Sequence, residues 1–253
     1  MAMDRLKLLI LGGTTEASAV AKALAGDNRV APILSLAGRT KAPAAPPVPY
    51  RVGGFGGPDG LAAYLEAEDI DLLIDATHPF ADRIKRNAVA AAAKARVPLL
   101  AIRRPQWTPQ PGDRWSVVPD MEAAVGALGE TPKRVFLTIG QKELAPFRAA
   151  PQHHYVIRSV DPPDVSSRPL NAEIITARGP FDEEDERTLL GRHEIEAIVT
   201  KNSGGSATQA KLAAARALGI PVVMVARPEH PDAERVETAE AALAWLEERL
   251  RGA

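Results

Sequence analysis

Two doubly wound, mainly parallel α/β sheets are what this sequence predicts, on three observations. Short runs rich in Ile, Leu and Val alternate with longer helical patterns, the mark of βαβ units on a parallel sheet. Apolar strands run directly into polar turns, as in Asp71-Leu72-Leu73-Ile74-Asp75-Ala76-Thr77-His78-Pro79-Phe80-Ala81. Part of the chain also repeats: the helix-to-strand passage through Val97-Pro98 and Arg104-Pro105 returns as Ile220-Pro221 and Arg227-Pro228, at a constant offset of 123 residues.

Taken along the chain, the periodicity predicts strands over Leu6–Leu11, Val30–Leu36, Leu72–Asp75 and Leu99–Ile102, with a fainter one over Ser116–Val118. Helices fall between them, over Glu16–Ala25, Asp59–Glu66, Ala81–Ala95 and Met121–Leu128. Residues 41–49 carry Pro43, Pro46, Pro47 and Pro49 and must be loop, since proline can neither donate to a ladder nor continue a helix. A short strand, Tyr50–Val52, follows. The second half opens with the strand beginning at Arg134, continues through a strand Ile195–Val199, the turn Thr200-Lys201-Asn202-Ser203-Gly204-Gly205 and an Ala-rich helix, and closes with a helix over Ala239–Leu250. His153-His154 reads as loop. The division expected is residues 1–131, the half with the Gly12-Gly13 turn, and residues 132–253, a similar half that would face it across a cleft. Any two βαβ units look alike, so the echo is also compatible with a common connection repeated; two domains facing each other across a cleft is the functional alternative.

Composition narrows the classes. The 253 residues are 45% apolar and 25% charged with a net charge of −1, as in ordinary soluble proteins, so nothing demands nucleic acid. Zero Cys removes disulfides, thiolate metal sites and cysteine nucleophiles. The N-terminal apolar run is too short for a signal-peptide core or a membrane span, so a cytoplasmic location with no membrane partner is expected. No His or carboxylate spacing marks a metal site, and none is expected.

Several turns suit a nucleotide. Gly12-Gly13-Thr14-Thr15-Glu16 lacks the third glycine of the dinucleotide fingerprint, yet adjacent glycines, a helix N-terminus and two hydroxyls suit a phosphate. A plain tight turn with threonine as N-cap would look the same. About where an NAD site places an acidic residue, this chain has Ser35, Gly38, Arg39 and Thr40, a cation with hydroxyls that would cradle a 2′-phosphate; the alternative is a solvated basic loop. Thr200–Gly205 offers Lys201 among small polar groups, or is a flexible turn, and its spacing is not that of an ATP-binding loop. Of five histidines only His78 lies at a predicted pocket, where it could also merely cap the turn. Asp182–Glu186 opens a helix, where negative charge complements the dipole. No nucleophile elbow is present.

In order, Gly12–Ala17, Ser35–Thr40, Asp75–Ala81, Arg104-Pro105, Thr138-Ile139-Gly140 and Thr200–Gly205 resemble the precorrin-6A reductase family of cobalamin (porphyrin-type) biosynthesis, most specifically in the Asp75–Ala81 and Thr200–Gly204 segments. The resemblance spans Leu8 to about Pro228. It implies two Rossmann-like domains and an NADPH-dependent oxidoreductase that saturates one C=C bond of a ring-contracted tetrapyrrole, precorrin-6A to precorrin-6B, in its metal-free or its cobalt form. On that basis Gly12, Gly13, Thr14, Thr15 and Glu16 would hold the pyrophosphate side, and Ser35, Gly38, Arg39 and Thr40 the 2′-phosphate. Thr77, His78 and Pro79 would flank the nicotinamide, and Lys201, Asn202 and Ser203 would close the site. His78 and Lys201 are the candidate proton donors. Arg104, Lys142, Lys201 and Arg227 are the candidate cations for substrate carboxylates. The expected partner is the small-molecule tetrapyrrole alone, with the protein acting as a monomer.

Two other readings stay open. A non-catalytic NADPH-sensing module would keep the same cofactor residues without turnover. A short-chain-type dehydrogenase or epimerase usually needs Tyr-x-x-x-Lys, and Tyr50, Tyr64 and Tyr155 have no lysine four residues on.

Overall fold

A computed structural model describes residues 5–38 and 45–252. The chain forms two compact units. One comprises Met1–Pro105 with Pro228–Ala253, the other Gln106–Arg227. No helix among the described residues is long and apolar enough to cross a membrane.

The first unit is built from β1 (Leu6–Leu11), α1 (Thr15–Ala23), β2 (Val30–Leu36), β3 (Tyr50–Val52), α2 (Pro58–Ala67), β4 (Leu72–Asp75), α3 (Asp82–Ala95) and β5 (Leu99–Ile102). The second holds β6 (Trp115–Val118), α4 (Met121–Leu128), β7 (Arg134–Thr138), β8 (His154–Ser159), β9 (Ala172–Thr176), α5 (Glu183–Arg192), β10 (Ala197–Lys201), α6 (Ala210–Leu218) and β11 (Val222–Val225). The chain then returns to the first unit as β12 (Glu234–Val236) and α7 (Ala239–Gly252).

Each unit carries a six-stranded sheet in which every pairing is parallel, in the orders β12-β5-β4-β1-β2-β3 and β6-β11-β10-β7-β8-β9. Strand order reverses between β1 and β4 in the first and between β7 and β10 in the second. At such switch points the loops leave the carboxyl ends in opposite directions and open a crevice for ligands.

The winding on both faces is visible in the side-chain alternation. Leu8, Ile10, Leu72, Ile74 and Leu100 pack with Val20, Ala21, Ala242 and Leu246 of α1 and α7. Their neighbours Leu9, Leu11 and Leu73 turn to the other face and meet Leu61, Leu65, Ala88 and Ala92 of α2 and α3. A parallel strand covered on both faces has no polar side, which is why these strands read as unbroken apolar runs.

The expected division at residues 131 and 132 is corrected by the sheets. β6, which precedes residue 131, pairs with β11 of the second sheet, and β12, which follows residue 132, pairs with β5 of the first, so each sheet takes its edge strand from across the expected boundary. Nothing local distinguishes the two possibilities, because a strand of three or four residues fits the edge of either sheet and only long-range pairing selects one. The loop expected at His153-His154 is corrected too: His154 opens β8, and His153 is fully buried against the Tyr155 ring.

Candidate functional site

In the first unit the two turns at the switch point are fastened to each other. Thr14 is the N-cap of α1, its Oγ1 accepting from Ala17 N at 3.2 Å while donating to Ala76 O, just past β4, at 2.7 Å. The glycines before it have different duties. A side chain at Gly12 would meet Leu34 Cδ1 at 2.7 Å, so its absence lets β1 and β2 pack. Gly13 has φ +112°, which L side chains rarely adopt, and an added Cβ would meet nothing within 4 Å, so this backbone is bare.

Glu16, in the first turn of α1, takes Arg104 on both oxygens, at 3.1 and 3.0 Å. Burial alone would raise the pKa of this carboxyl, but its backbone hydrogen bond and the Arg104 charge outweigh that and hold it below the ordinary value. A pocket lies here, lined by Thr14, Glu16, Ala76, Thr77, Pro79 and Arg104 among others.

Behind the Asp75–Phe80 turn is a buried charge network. Asp75 Oδ1 accepts from Thr77 N at 3.0 Å and Thr77 Oγ1 at 2.6 Å, and Oδ2 from Lys85 Nζ at 3.3 Å and Arg103 Nη1 at 2.8 Å. Lys85 also donates to Thr77 O at 3.1 Å. Burial pushes the Asp75 pKa up, and the Lys85 and Arg103 charges with the Thr77 hydrogen bond pull it further down, leaving the carboxylate ionised below its ordinary value. His78 is half-buried, its Nδ1 accepting from Phe80 N at 3.2 Å, so one ring nitrogen caps the turn.

Beside β1, Ser35 Oγ accepts from Arg51 Nη1 at 2.9 Å, and the Arg51 guanidinium lies 3.9 Å over the Phe55 ring. Gly38 follows β2 with φ +68°. Arg39 and Thr40 lie outside the described residues. Thr15 is exposed and its hydroxyl reaches Glu16 Oε2 at 3.2 Å.

At the second unit's switch point, Lys201 ends β10 and its Nζ lies 3.0 Å from both carboxylate oxygens of Glu143. Asn202 is turned to a structural task, its amide pairing with both backbone groups of Trp107: Oδ1 accepts from Trp107 N at 2.9 Å, and Nδ2 donates to Trp107 O at 3.0 Å. Arg227 likewise holds the loop, donating to Asn202 O at 3.3 Å and Ser203 O at 3.0 Å. Ser203 is buried, and Lys142 is exposed on the 3-10 turn Gln141–Glu143.

Thr14, Glu16, Thr77, Pro79 and Arg104 are thus brought to one pocket, and Lys201, Asn202, Ser203 and Arg227 to one loop. Sequence reasoning passed over Lys85, Arg103, Arg51, Trp107 and Glu143. For Lys85 a signal existed, since it shares the buried face of α3 with Ala88 and Ala92 at helical spacing. Glu143 has only a glycine three residues before it.

Residues 7–247 match the family model described as precorrin-6x reductase CbiJ/CobK. Over 245 residues the chain is 54% identical to a precorrin-6A reductase of Sinorhizobium sp, covering 96% of this chain and 93% of the relative. It is 28% identical over 237 residues to a cobalt-precorrin-6A reductase of Priestia megaterium, covering 88% and 91%. The solved structure of a CobK precorrin-6A reductase superposes with a TM-score of 0.90 at 49% identity, covering 96% of both chains.

Proposed function

Since the chain belongs to the precorrin-6x reductase family, an oxidoreductase family of cobalamin biosynthesis, we propose that it reduces precorrin-6A to precorrin-6B with NADPH. The observation that carries the substrate is the identity of 54% to a precorrin-6A reductase across nearly the whole chain, against 28% to a cobalt-precorrin-6A reductase, which favours the metal-free macrocycle.

The first unit's switch point fits a pyridine nucleotide. Bare backbone at Gly13, the N-terminus of α1 and the Thr14 hydroxyl suit a pyrophosphate. The Glu16 carboxylate would repel a phosphate on its own, but Arg104 balances it. Ser35 and Gly38, with Arg39 and Thr40, are the proposed 2′-phosphate residues, and Thr77, His78 and Pro79 the residues against the nicotinamide. When bound, NADPH would supply the hydride for one carbon of the reduced C=C bond.

The chain's own residues then have to bind, orient and protonate. The Asp75 network fixes Thr77 rigidly, so a ring placed against it keeps its orientation. A proton for the neighbouring carbon is assigned to Lys201, through Nζ, or to His78 as the imidazolium, in which Nδ1 carries a hydrogen and gives up its bond from Phe80 N. Lys142 and Lys201 are the proposed cations for substrate carboxylates. Arg104 and Arg227 are proposed for the same task, with Arg104 also bonded to Glu16 and Arg227 to the carbonyls of Asn202 and Ser203.

The test follows nicotinamide absorbance with enzymatically made precorrin-6A as acceptor and NADH beside NADPH. Turnover preferring NADPH supports the reading. Tight NADPH binding without oxidation of either nucleotide would instead mark a sensing module.

A further inference from the structure

Three features of the second unit converge on Glu143. Its carboxylate holds the Lys201 ammonium with both oxygens, and the Lys201 side chain is only 12% exposed. The Glu143 backbone is fixed as well, its N–H donating to Gly140 O at 3.0 Å across the 3-10 turn. Residue 140 is glycine for reasons of space: φ is −74°, open to any residue, yet a Cβ built there would collide with Glu143 Oε2 and stand 3.6 Å from Lys201 Nζ. The obstructed atom is the far end of a flexible side chain. An added methyl group would therefore leave the fold in place and push the carboxylate off the lysine.

We infer that Glu143 is the positioning residue of Lys201, and that the missing side chain at Gly140 is what gives the pair its place. A lysine is a compact charge on a flexible four-carbon stem, free to sweep a wide volume. Gripped by a carboxylate anchored on the neighbouring β7 turn, the ammonium is confined to one spot at the carboxyl edge, beside the switch point. The first unit repeats the device, with Glu16 gripping Arg104 from the β1 turn. The inference rests on the reading of Lys201 as a group that acts on the substrate.

The test uses the full chain, NADPH and precorrin-6A, with kcat and KM measured separately for Lys201→Ala, Glu143→Gln, Gly140→Ala and their combinations. Glu143→Gln is expected to lower kcat about tenfold while KM changes little, and to add no further loss in the Lys201→Ala background, because a residue acting through another has nothing left to act on. Gly140→Ala is expected to lower kcat comparably, at unchanged thermal midpoint, and to add no further loss in the Glu143→Gln background, where the carboxylate it displaces is already gone. Losses that multiply in the double variant, or a Gly140→Ala enzyme with wild-type kcat, would overturn the positioning role. Wild-type turnover by Lys201→Ala would remove the reading of Lys201 itself, whereas a slow Lys201→Ala beside a normal Glu143→Gln would overturn the role of Glu143 alone.

Discussion

Lys85 Nζ stands 3.3 Å from Asp75 Oδ2, and neither side chain reaches solvent. The pair forms the base of the turn that carries Thr77 and His78. Burying two charges costs desolvation that their attraction repays only when the remaining donors and acceptors are also satisfied. Here Arg103 and the Thr77 backbone and hydroxyl meet that need, so the turn is held by the same bonds that make the charges tolerable.

Lys85→Met would leave Asp75 paired with Arg103 and Thr77 without its ammonium. The expected loss is about 3 kcal/mol, the lower end for breaking a buried pair because Arg103 remains. Urea unfolding of variant and wild type at neutral pH measures it. A loss below about 1 kcal/mol would mean that the pair contributes little beyond packing.

Asp75 also sets an acid limit. Its folded pKa lies below the value of 3.8 expected unfolded, so its contribution is complete above that value and is lost as pH falls through the folded one. Asp75→Asn should therefore destabilise the protein most at about pH 6 and progressively less on acidification below about pH 4. A stability difference independent of pH would contradict the assignment.

Lys211 predicts the opposite limb. It is buried, and burial with the Arg158 charge nearby pulls its pKa down from 10.5 to about 7 despite Glu186. The unfolded chain then binds more protons than the folded one between those values, so stability rises with pH across that window. Replacing it, as in Lys211→Met, should flatten the rise by about 1 to 3 kcal/mol, at 1.4 kcal/mol per pKa unit discounted for relaxation. Unfolding free energies compared at about pH 7 and about pH 9.5 test this.

Asn202 is expected to matter for stability first. Asn202→Leu would strand a buried N–H and C=O of Trp107, at about 1 to 3 kcal/mol for the pair of lost bonds. Denaturation monitored by tryptophan fluorescence reads it. An unchanged midpoint would return Asn202 to the group of ligand-contacting candidates.

The strand ends were legible because each pairs an apolar run with a polar turn, as at Leu11-Gly12 and Asp75-Ala76. The ownership of β6 and β12 was not, since Trp115–Val118 and Glu234–Val236 carry no local sign of which sheet they join. Among site residues, Thr14, Thr77 and Lys201 announce themselves by position. Their partners Ala76, Lys85 and Glu143 do not, because each contact joins residues distant in sequence or distinguished only by the face of a helix. Asn202 and Arg227 stand in the predicted loop, but their bonds to Trp107 and Ser203 are tertiary and give them structural work that a motif cannot reveal.

The most direct measurement is the fate of the hydride. NADPH deuterated at nicotinamide C4, in each of its two stereochemical forms, would be turned over with precorrin-6A and the product examined by mass spectrometry. The account predicts one deuterium carried into the macrocycle from one form and none from the other. A product of increased mass without label from either form, or no product while NADPH stays bound, would contradict it.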